Sequence, residues 1–302
     1  MGSRIIRKVA DKNAIRLHTD RGAPLRRFLQ ASPNHHLIVT TGNLLESTVN
    51  QTNTDPASNF IQDFQGLVKY SNQLYIIKDP ASLNTHFNWV SAGLQQRLLS
   101  ANESAGWHRE LPSLIESMKA GNVSPVFKAK KQESENWLKS IEADSQEYLE
   151  FQRTIGQIPN VTSMDWDNFL TSGYLAETAL ALLLKATISY THALHFASKT
   201  PLPEPLCNSI AFRYNLAYAL LALERRARGK QINFQLSSVV IRNDAVDMLY
   251  VAQASYFDGF FCHEVTSRSV YRLMKSFFSS SHLSHAINRY TPDPALIGLV
   301  RL

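Results

Sequence analysis

The sequence contains few cysteines and no long apolar run. The two cysteines, Cys207 and Cys262, are far apart and form no metal-binding motif, so two reduced thiols are expected. The amino terminus is polar and charged, which argues against a signal peptide, and no uninterrupted apolar run reaches membrane-spanning length. These absences predict a cytoplasmic protein with no membrane partner.

Several catalytic motifs are also missing. The chain has no glycine-rich phosphate loop, no GxSxG sequence and no CxxC pair, which leaves a small-molecule enzyme without support. His192 and His195 are three residues apart in the apolar stretch 176–198, which predicts a buried helix. No HExxH-type pattern accompanies them, so packing or polar contacts are preferred to metal binding as their role.

Basic residues outnumber acidic ones in this chain of 302 residues. The net charge is +6 and the sequence pI is about 9.3, which permits binding to nucleic acid or another polyanion. At 44% hydrophobic, the chain can bury the core of one large domain or of two smaller ones. The basic residues 1–30 are interpreted as a loosely attached arm, with a contact to a phosphate backbone as the alternative.

The stretch 239–271 has the clearest pattern of alternating elements. Its apolar start at 239–241 predicts a strand or loop, and Asp244 would cap a helix that begins at Ala245. Residues 260–262 then predict a short buried strand, and 265–278 a further helix. The region 208–228 is predicted to form another helix, with its apolar residues on one face.

Three acids are expected to meet at one edge of the sheet. Asp244 and Asp247 would lie in the first turn of their helix, and Glu264 follows the strand that returns to the same edge. Open α/β folds place their sites at the carboxyl ends of the strands. Asp258 lies a helix length away and is assigned to the opposite edge. The alternative is that Asp244 and Glu264 only cap helices.

This stretch resembles the carboxyl-terminal signature of PIN-like domains, a family of metal-dependent nucleases. The segment NDAVDMLYVAQASYFDGFF is similar to one bacterial subgroup, with Asp247 opening the helix and Glu264 as the last acid. The resemblance implies an α/β fold with a parallel sheet flanked by helices and a large, mainly helical insertion. It further implies a Mg²⁺- or Mn²⁺-dependent nuclease, of the kind that serves as a toxin or defence effector, with RNA preferred to DNA as substrate.

Two positions depart from the family pattern as aligned on the sequence. The first strand of PIN-like domains ends in Asp-Thr-Asn, and the corresponding residues are taken as 41–43, where Thr41 replaces the metal-binding Asp and Asn43 is kept. The family also carries a Glu early in the helix after its second strand, here predicted at 74–77, and Asp79 is the nearest acid. Glu46 could compensate, although an ordinary exposed helix position is preferred.

The resemblance divides the chain and leaves two functions open. The PIN-like core is predicted at 31–90 and 205–280, the helical insertion at 91–204, and an extension at 281–302. Basic side chains expected to contact nucleic acid are Arg213, Arg268, Arg272 and Lys275. The chain is predicted to be a metal-dependent nuclease with Asp79, Asp244, Asp247 and Glu264 as metal ligands. The alternative is an inactive PIN-like module that binds nucleic acid or protein; a protein partner or homo-oligomer stays open.

Overall fold

A computed structural model describes most of the chain. The described residues are 4–17, 23–48, 56–78, 94–123, 125–143, 145–156, 166–172, 175, 177–197, 206–229 and 237–279. The chain divides into two compact units. The first, called the sheet unit, comprises Met1–Asp79, Gly93–Ile141 and Tyr256–His263, and the second, called the helical unit, comprises Pro80–Ala92, Glu142–Ser255 and Glu264–Leu302.

The sheet unit contains a mixed five-stranded sheet flanked by helices. The strands are β1 (Ile6–Ala10), β2 (His35–Val39), β3 (Leu74–Ile77), β4 (Leu99–Ser100) and β5 (Gly259–Phe261), in the order β4-β3-β2-β1-β5. β1 pairs in parallel with both β2 and β5, and β2 pairs in parallel with β3. The predicted α/β class is confirmed, but the sheet is not wholly parallel, because β4 pairs antiparallel to β3.

Helices of the sheet unit follow the strands closely. They are α1 (Lys12–Arg16), α2 (Pro24–Ala31), α3 (Thr41–Thr48), α4 (Pro56–Phe64), α5 (Leu94–Leu98), α6 (Ala101–Lys119) and α7 (Pro125–Ala143), with a 3-10 segment at Gln65–Gln73. Leu37, Val39, Leu74 and Ile76 of the sheet are buried in one core with apolar residues of α1, α2, α4 and α6. Aromatic rings of Phe60, Phe64, Trp107 and Phe127 pack together in that core.

The helical unit is built around one helix that is buried on nearly all sides. Its helices are α8 (Ser145–Gly156), α9 (Trp166–Ser172), α10 (Glu177–Ala197), α11 (Ile210–Ala227), α12 (Ser238–Ala254) and α13 (Val265–Ser279). Ser209 caps α11 by accepting a hydrogen bond from the Phe212 backbone N–H, and Gly229 follows its end with a φ of 69°. α11 packs against α8, α10, α12 and α13, as expected of a helix that is apolar all round.

The amino-terminal residues differ from the expected loose arm. Residues 6–10 form β1, a strand with neighbours on both sides, and α1 and α2 follow it. The basic side chains of the strand find partners: the Lys8 ammonium lies 4.9 Å from the ring centre of Phe28 and 5.0 Å from that of Phe261. The Arg7 guanidinium donates to the side-chain oxygen of Gln96 at 2.6 Å. Aromatic and amide partners therefore allow a basic sequence to form a central strand.

The start of the 239–271 stretch also differs from its prediction. Residues 239–241 are helical, because Ser237 caps α12 and its Oγ accepts from the Val240 N–H at 3.4 Å. Asp244 therefore lies in the second turn of α12 rather than at its cap. The strand predicted at 260–262 and the helix predicted at 265–278 are confirmed as β5 and α13, each within one residue at either end. Among the described residues, no helix is long and apolar enough to cross a membrane.

Candidate functional site

Asp11 lies directly after β1, at the carboxyl end of a strand in the interior of the sheet. Its Oδ1 accepts a hydrogen bond from the Ala14 N–H at 2.6 Å, which caps α1. Its own backbone N–H donates to the Phe261 carbonyl oxygen at the end of β5, at 2.9 Å. The Asp11 carboxylate is therefore fixed in orientation at the point where β1 and β5 both end. The connections that follow these two strands leave in different directions, as at the sites of open α/β folds.

Asn43 fixes the start of α3 to the same place. Its Oδ1 accepts from the Thr40 N–H at 2.8 Å and from the Thr40 Oγ1 at 3.0 Å. Its Nδ2 donates to the Ala10 carbonyl oxygen at 3.0 Å, one residue before Asp11. The side chain is fully buried, and both ends of the amide are used. Asn43 therefore holds the carboxyl ends of β1 and β2 together.

Replacing Asn43 with Ala is expected to destabilise the sheet unit by about 2–3 kcal/mol, because buried hydrogen-bonding groups of Thr40 and Ala10 lose their partner. The exposed Asn13, in the first turn of α1, is the control, and Asn13→Ala is expected to change stability by less than about 0.5 kcal/mol. Urea unfolding of both variants measures the difference, and equal midpoints for the two would contradict the assignment.

Lys12 follows Asp11 in the chain and contacts Glu46 of α3. The Lys12 Nζ donates to the backbone carbonyl oxygen of Glu46 at 2.8 Å. Glu46 follows Asn43 by three residues, so the two share one side of α3. Burial lowers the pKa of Lys12, while the negative charges of Glu46 and then Asp63 act to raise it. Asp11, Lys12 and Glu46 thus form a small group of charged residues at the ends of β1 and β2, called here the strand-end cluster.

Asp63 supports the strand-end cluster from within the core. It is fully buried, and its Oδ1 accepts from the Arg16 Nε at 2.9 Å. Its Oδ2 accepts from the Ser47 Oγ at 2.7 Å. Both carboxylate oxygens therefore join α1 and α3 to α4. Asp63 serves as a packing element of these three helices.

The acids predicted at the carboxyl end of the chain lie in the helical unit. Asp244 forms an ion pair with Arg225, whose Nη2 is 2.6 Å from Oδ1. Burial raises the pKa of Asp244, the Arg225 charge opposes that rise, and the Glu264 charge adds to it. Asp247 is half-buried one turn further along α12. Electrostatic coupling therefore joins Asp244 to Glu264, but a guanidinium already holds Asp244.

Glu264 is exposed at the start of α13. Its backbone carbonyl oxygen accepts from the Arg268 N–H at 3.1 Å, and its Oε2 accepts from the Ser267 Oγ at 2.8 Å. These contacts are those of a residue that begins a helix, which was the alternative interpretation of Glu264. Its carboxylate remains accessible to solvent.

The basic residues predicted to bind nucleic acid differ in exposure. Arg213 is buried; its Nε donates to the Cys207 carbonyl oxygen at 3.0 Å and its Nη1 to the Ser255 Oγ at 2.8 Å. Its guanidinium also lies 4.2 Å from the ring centre of Phe278. Arg268 and Arg272 are exposed and Lys275 is half-buried, at spacings of four and three residues that place them on one side of α13.

Other predicted positions have different outcomes. Asp258 lies at the amino end of β5, as expected, and its carboxylate accepts from the Arg7 backbone N–H at 2.9 Å and from the Arg4 guanidinium at 3.1 Å. Thr41 begins α3, after the second strand rather than the first, and its side chain is outside the described residues. Asp79 and residues 281–302 also lie outside them. His192 is half-buried, and burial lowers the pKa of its imidazole.

Sequence reasoning missed Asp11 and Lys12 as site residues. The segment was interpreted as an arm because of its basic residues, so the strand before Asp11 went unrecognised. The signal was the set of apolar residues Ile5, Ile6, Val9 and Ala10 directly before an acid. A strand followed at once by a carboxylate is the same pattern that drew attention to Glu264.

Carboxylates of the strand-end cluster match the ligands that Mg²⁺ and Mn²⁺ prefer. Asp11 and Glu46 would supply two of them, and Mg²⁺ in enzymes is often held by one or two carboxylates together with waters and substrate phosphates. Within the described ranges, no group of three or more His, Cys, Asp or Glu side chains is arranged to hold a metal ion. The residues therefore fit a weakly held, hydrated cation and do not form a complete protein cage.

Comparison with known proteins found no family model that matches the sequence, and no curated protein or solved structure that is similar to it.

Proposed function

We propose that this chain is a PIN-like nuclease that cleaves RNA with the help of Mg²⁺ or Mn²⁺, and that Asp11 and Glu46 hold the cation. One observation carries the proposal: Asp11 stands at the carboxyl end of β1, between two parallel neighbours. Sites of open α/β folds occur at that edge, where the connections of adjacent strands diverge. The net charge of +6 is compatible with a polyanionic substrate.

The strand order supports a new alignment with the PIN-like pattern. Because β1 is the first strand, the family's Asp-Thr-Asn pattern is matched by Asp11-Lys12-Asn13 rather than by residues 41–43. The second strand becomes β2, and the Glu expected early in the following helix is matched by Glu46 in α3. This alignment places an acid at both positions where the alignment on residues 41–43 and 79 lacks the family's residue, the Asp after the first strand and the Glu after the second. Lys12 is the remaining difference, since it stands where the family has Thr.

The carboxylates of the strand-end cluster would contribute mainly by being held in place to bind the cation before substrate arrives. A divalent cation bound there polarises a phosphate group and lowers the pKa of an attacking water. Asp11 is oriented by the Ala14 N–H, and Asn43 holds the backbone carbonyl of the preceding residue, Ala10. This order is present in the folded chain, so the carboxylates need not be organised at the time of binding.

Asp247 and Glu264 belong to the helical unit, so the proposal assigns them no part in holding the cation at Asp11 and Glu46. Asp244 is given a structural role instead, because Arg225 already engages it. Asp244→Asn is expected to affect mainly stability, because it weakens the ion pair with Arg225.

Cleavage of a labelled single-stranded RNA in Mn²⁺ tests the proposed function. Glu46→Gln is expected to lower the rate roughly a hundredfold or more, because a metal ligand is lost while the side-chain shape is kept. Glu133→Gln, an exposed change of the same kind on α7, is the control and is expected to cleave at the wild-type rate. Chelation with EDTA is expected to stop cleavage. Wild-type protein that cleaves neither RNA nor DNA would overturn the proposal.

The second candidate is a PIN-like module that binds nucleic acid or protein without cleaving it. Two observations favour it: the described part of the chain holds no three-acid group suited to a metal ion, and Arg225 occupies Asp244. The exposed side of α13 with Arg268 and Arg272 would then be a contact for the phosphate backbone. Salt-dependent RNA binding without Mn²⁺-dependent cleavage would favour this candidate.

A further inference from the structure

Lys12 is the residue of the strand-end cluster that the family pattern does not explain. It follows Asp11 and is the first residue of α1, and its side chain is half-buried. The Nζ donates to one neutral acceptor, the Glu46 carbonyl oxygen, at 2.8 Å. Within the described residues, no carboxylate oxygen is close enough to that ammonium to form an ion pair.

Arg16, a second cation on α1, has a carboxylate partner, in contrast to Lys12. Arg16, one turn further along α1, is paired with the buried Asp63 at 2.9 Å. An ammonium has three donors, and the Glu46 carbonyl uses one of them. Partial burial of a charge is unfavourable unless an opposite charge or a set of acceptors accompanies it. The Lys12 ammonium therefore has two donors left for an anion from outside the chain.

We propose that Lys12 binds a non-bridging phosphate oxygen of single-stranded RNA. The inference rests on the proposed function, because it places the phosphate beside Asp11 and Glu46, where the cation would be held. Two carboxylates without a further cation repel a phosphate, and the ammonium held on the Glu46 carbonyl oxygen reduces that repulsion. Lys12 is thus a substrate-binding residue, and it would position the scissile phosphate relative to Asp11.

RNA binding in EDTA tests Lys12 separately from catalysis. The affinity of a labelled single-stranded RNA is measured by fluorescence anisotropy over a series of salt concentrations. Lys12→Met is expected to weaken binding and to reduce the slope of log affinity against log salt by about 0.7, the value for one phosphate contact with a single strand. Lys12→Arg is expected to keep both. Lys69→Met removes an exposed lysine of the same unit and is expected to change neither.

Lys12→Gln separates the loss of the charge from a loss of folding. Glutamine keeps a donor for the Glu46 carbonyl oxygen but carries no charge, so it is expected to bind RNA as weakly as Lys12→Met while remaining folded. Wild-type affinity and salt slope in Lys12→Gln would overturn the inference. A wild-type chain that does not bind single-stranded RNA would also overturn it.

The two proposals fail in different ways. RNA binding that depends on Lys12, without any cleavage in Mn²⁺, would leave the inference standing and reject the nuclease. Cleavage that requires Asp11 and Glu46, with affinity and salt slope unchanged in Lys12→Gln, would support the nuclease and reject the phosphate contact.

Discussion

Replacing Asp11 with Asn is expected to lower Mn²⁺-dependent RNA cleavage roughly a hundredfold or more. Asparagine caps a helix about as well as aspartate, so the hydrogen bond from the Ala14 N–H should persist and α1 should keep its place. The variant loses the negative charge, and a neutral amide is a weak ligand for a hard divalent cation. Rates of cleavage at saturating Mn²⁺, together with thermal unfolding, measure the two effects separately.

Asp258→Asn is the matched control for that change. Asp258 is also an aspartate beside a sheet strand, but it lies at the amino end of β5 and contacts Arg4 and Arg7. Its variant is expected to cleave RNA at the wild-type rate. If Asp11→Asn and Asp258→Asn retain equal activity, Asp11 does not hold the cation.

Replacing Phe64 with Ala is expected to reduce the free energy of unfolding by about 3–5 kcal/mol, the largest stability effect predicted for this chain. The ring is fully buried at the end of α4. Its centre lies 4.8 Å from that of Phe60 and 5.1 Å from that of Trp107. The change would leave a cavity among rings that are close-packed and cannot easily collapse into it. Urea unfolding followed by tryptophan fluorescence reports on it, because Trp107 is one of the neighbours.

Ile61→Ala provides the comparison on the same helix. Ile61 is only partly buried against the core, so truncating it removes less apolar area from contact and is expected to destabilise by roughly 1 kcal/mol. Equal losses for Phe64→Ala and Ile61→Ala would show that the aromatic group is not the centre of this core.

Long apolar helices were the elements that the sequence predicted best. The stretches 176–198, 208–228 and 265–278 match α10, α11 and α13, with ends that differ by at most two residues. Each carries many apolar residues at helical spacing or throughout, so burial and local preference agree. The short strand β5 was also found, because its apolar residues directly follow a turn at Asp258.

Elements with mixed signals were predicted less well. β1 contains Arg7 and Lys8, and its stability depends on partners distant in sequence, Gln96, Phe28 and Phe261. Such contacts cannot be inferred from local composition. At 239–241, three β-branched residues favour a strand, but the Ser237 cap and the packing of α12 on α11 favour a helix. Tertiary contacts decided the first case, and a local cap together with helix packing decided the second.

Missing β1 also displaced the candidate site. With the second strand taken as the first, the family's Asp was placed at Thr41, and Glu46 was interpreted as an ordinary helix residue. Asn43 was singled out on the sequence, and the structure places it in the hydrogen-bond network that joins the ends of β1 and β2. Asp244 was expected to be a metal ligand, and the structure pairs it with Arg225, 19 residues earlier in the chain. A pairing across that distance leaves no periodic signal.

Calorimetric titration with Mn²⁺ tests the central claim most directly. The proposal predicts saturable binding by the wild-type chain, loss of that binding in Asp11→Asn and Glu46→Gln, and retention in Asp258→Asn. Binding that is unchanged in Asp11→Asn would contradict it, as would a wild-type chain that binds no Mn²⁺ while Thr41→Asp does, since that result would return the missing acid to the end of β2.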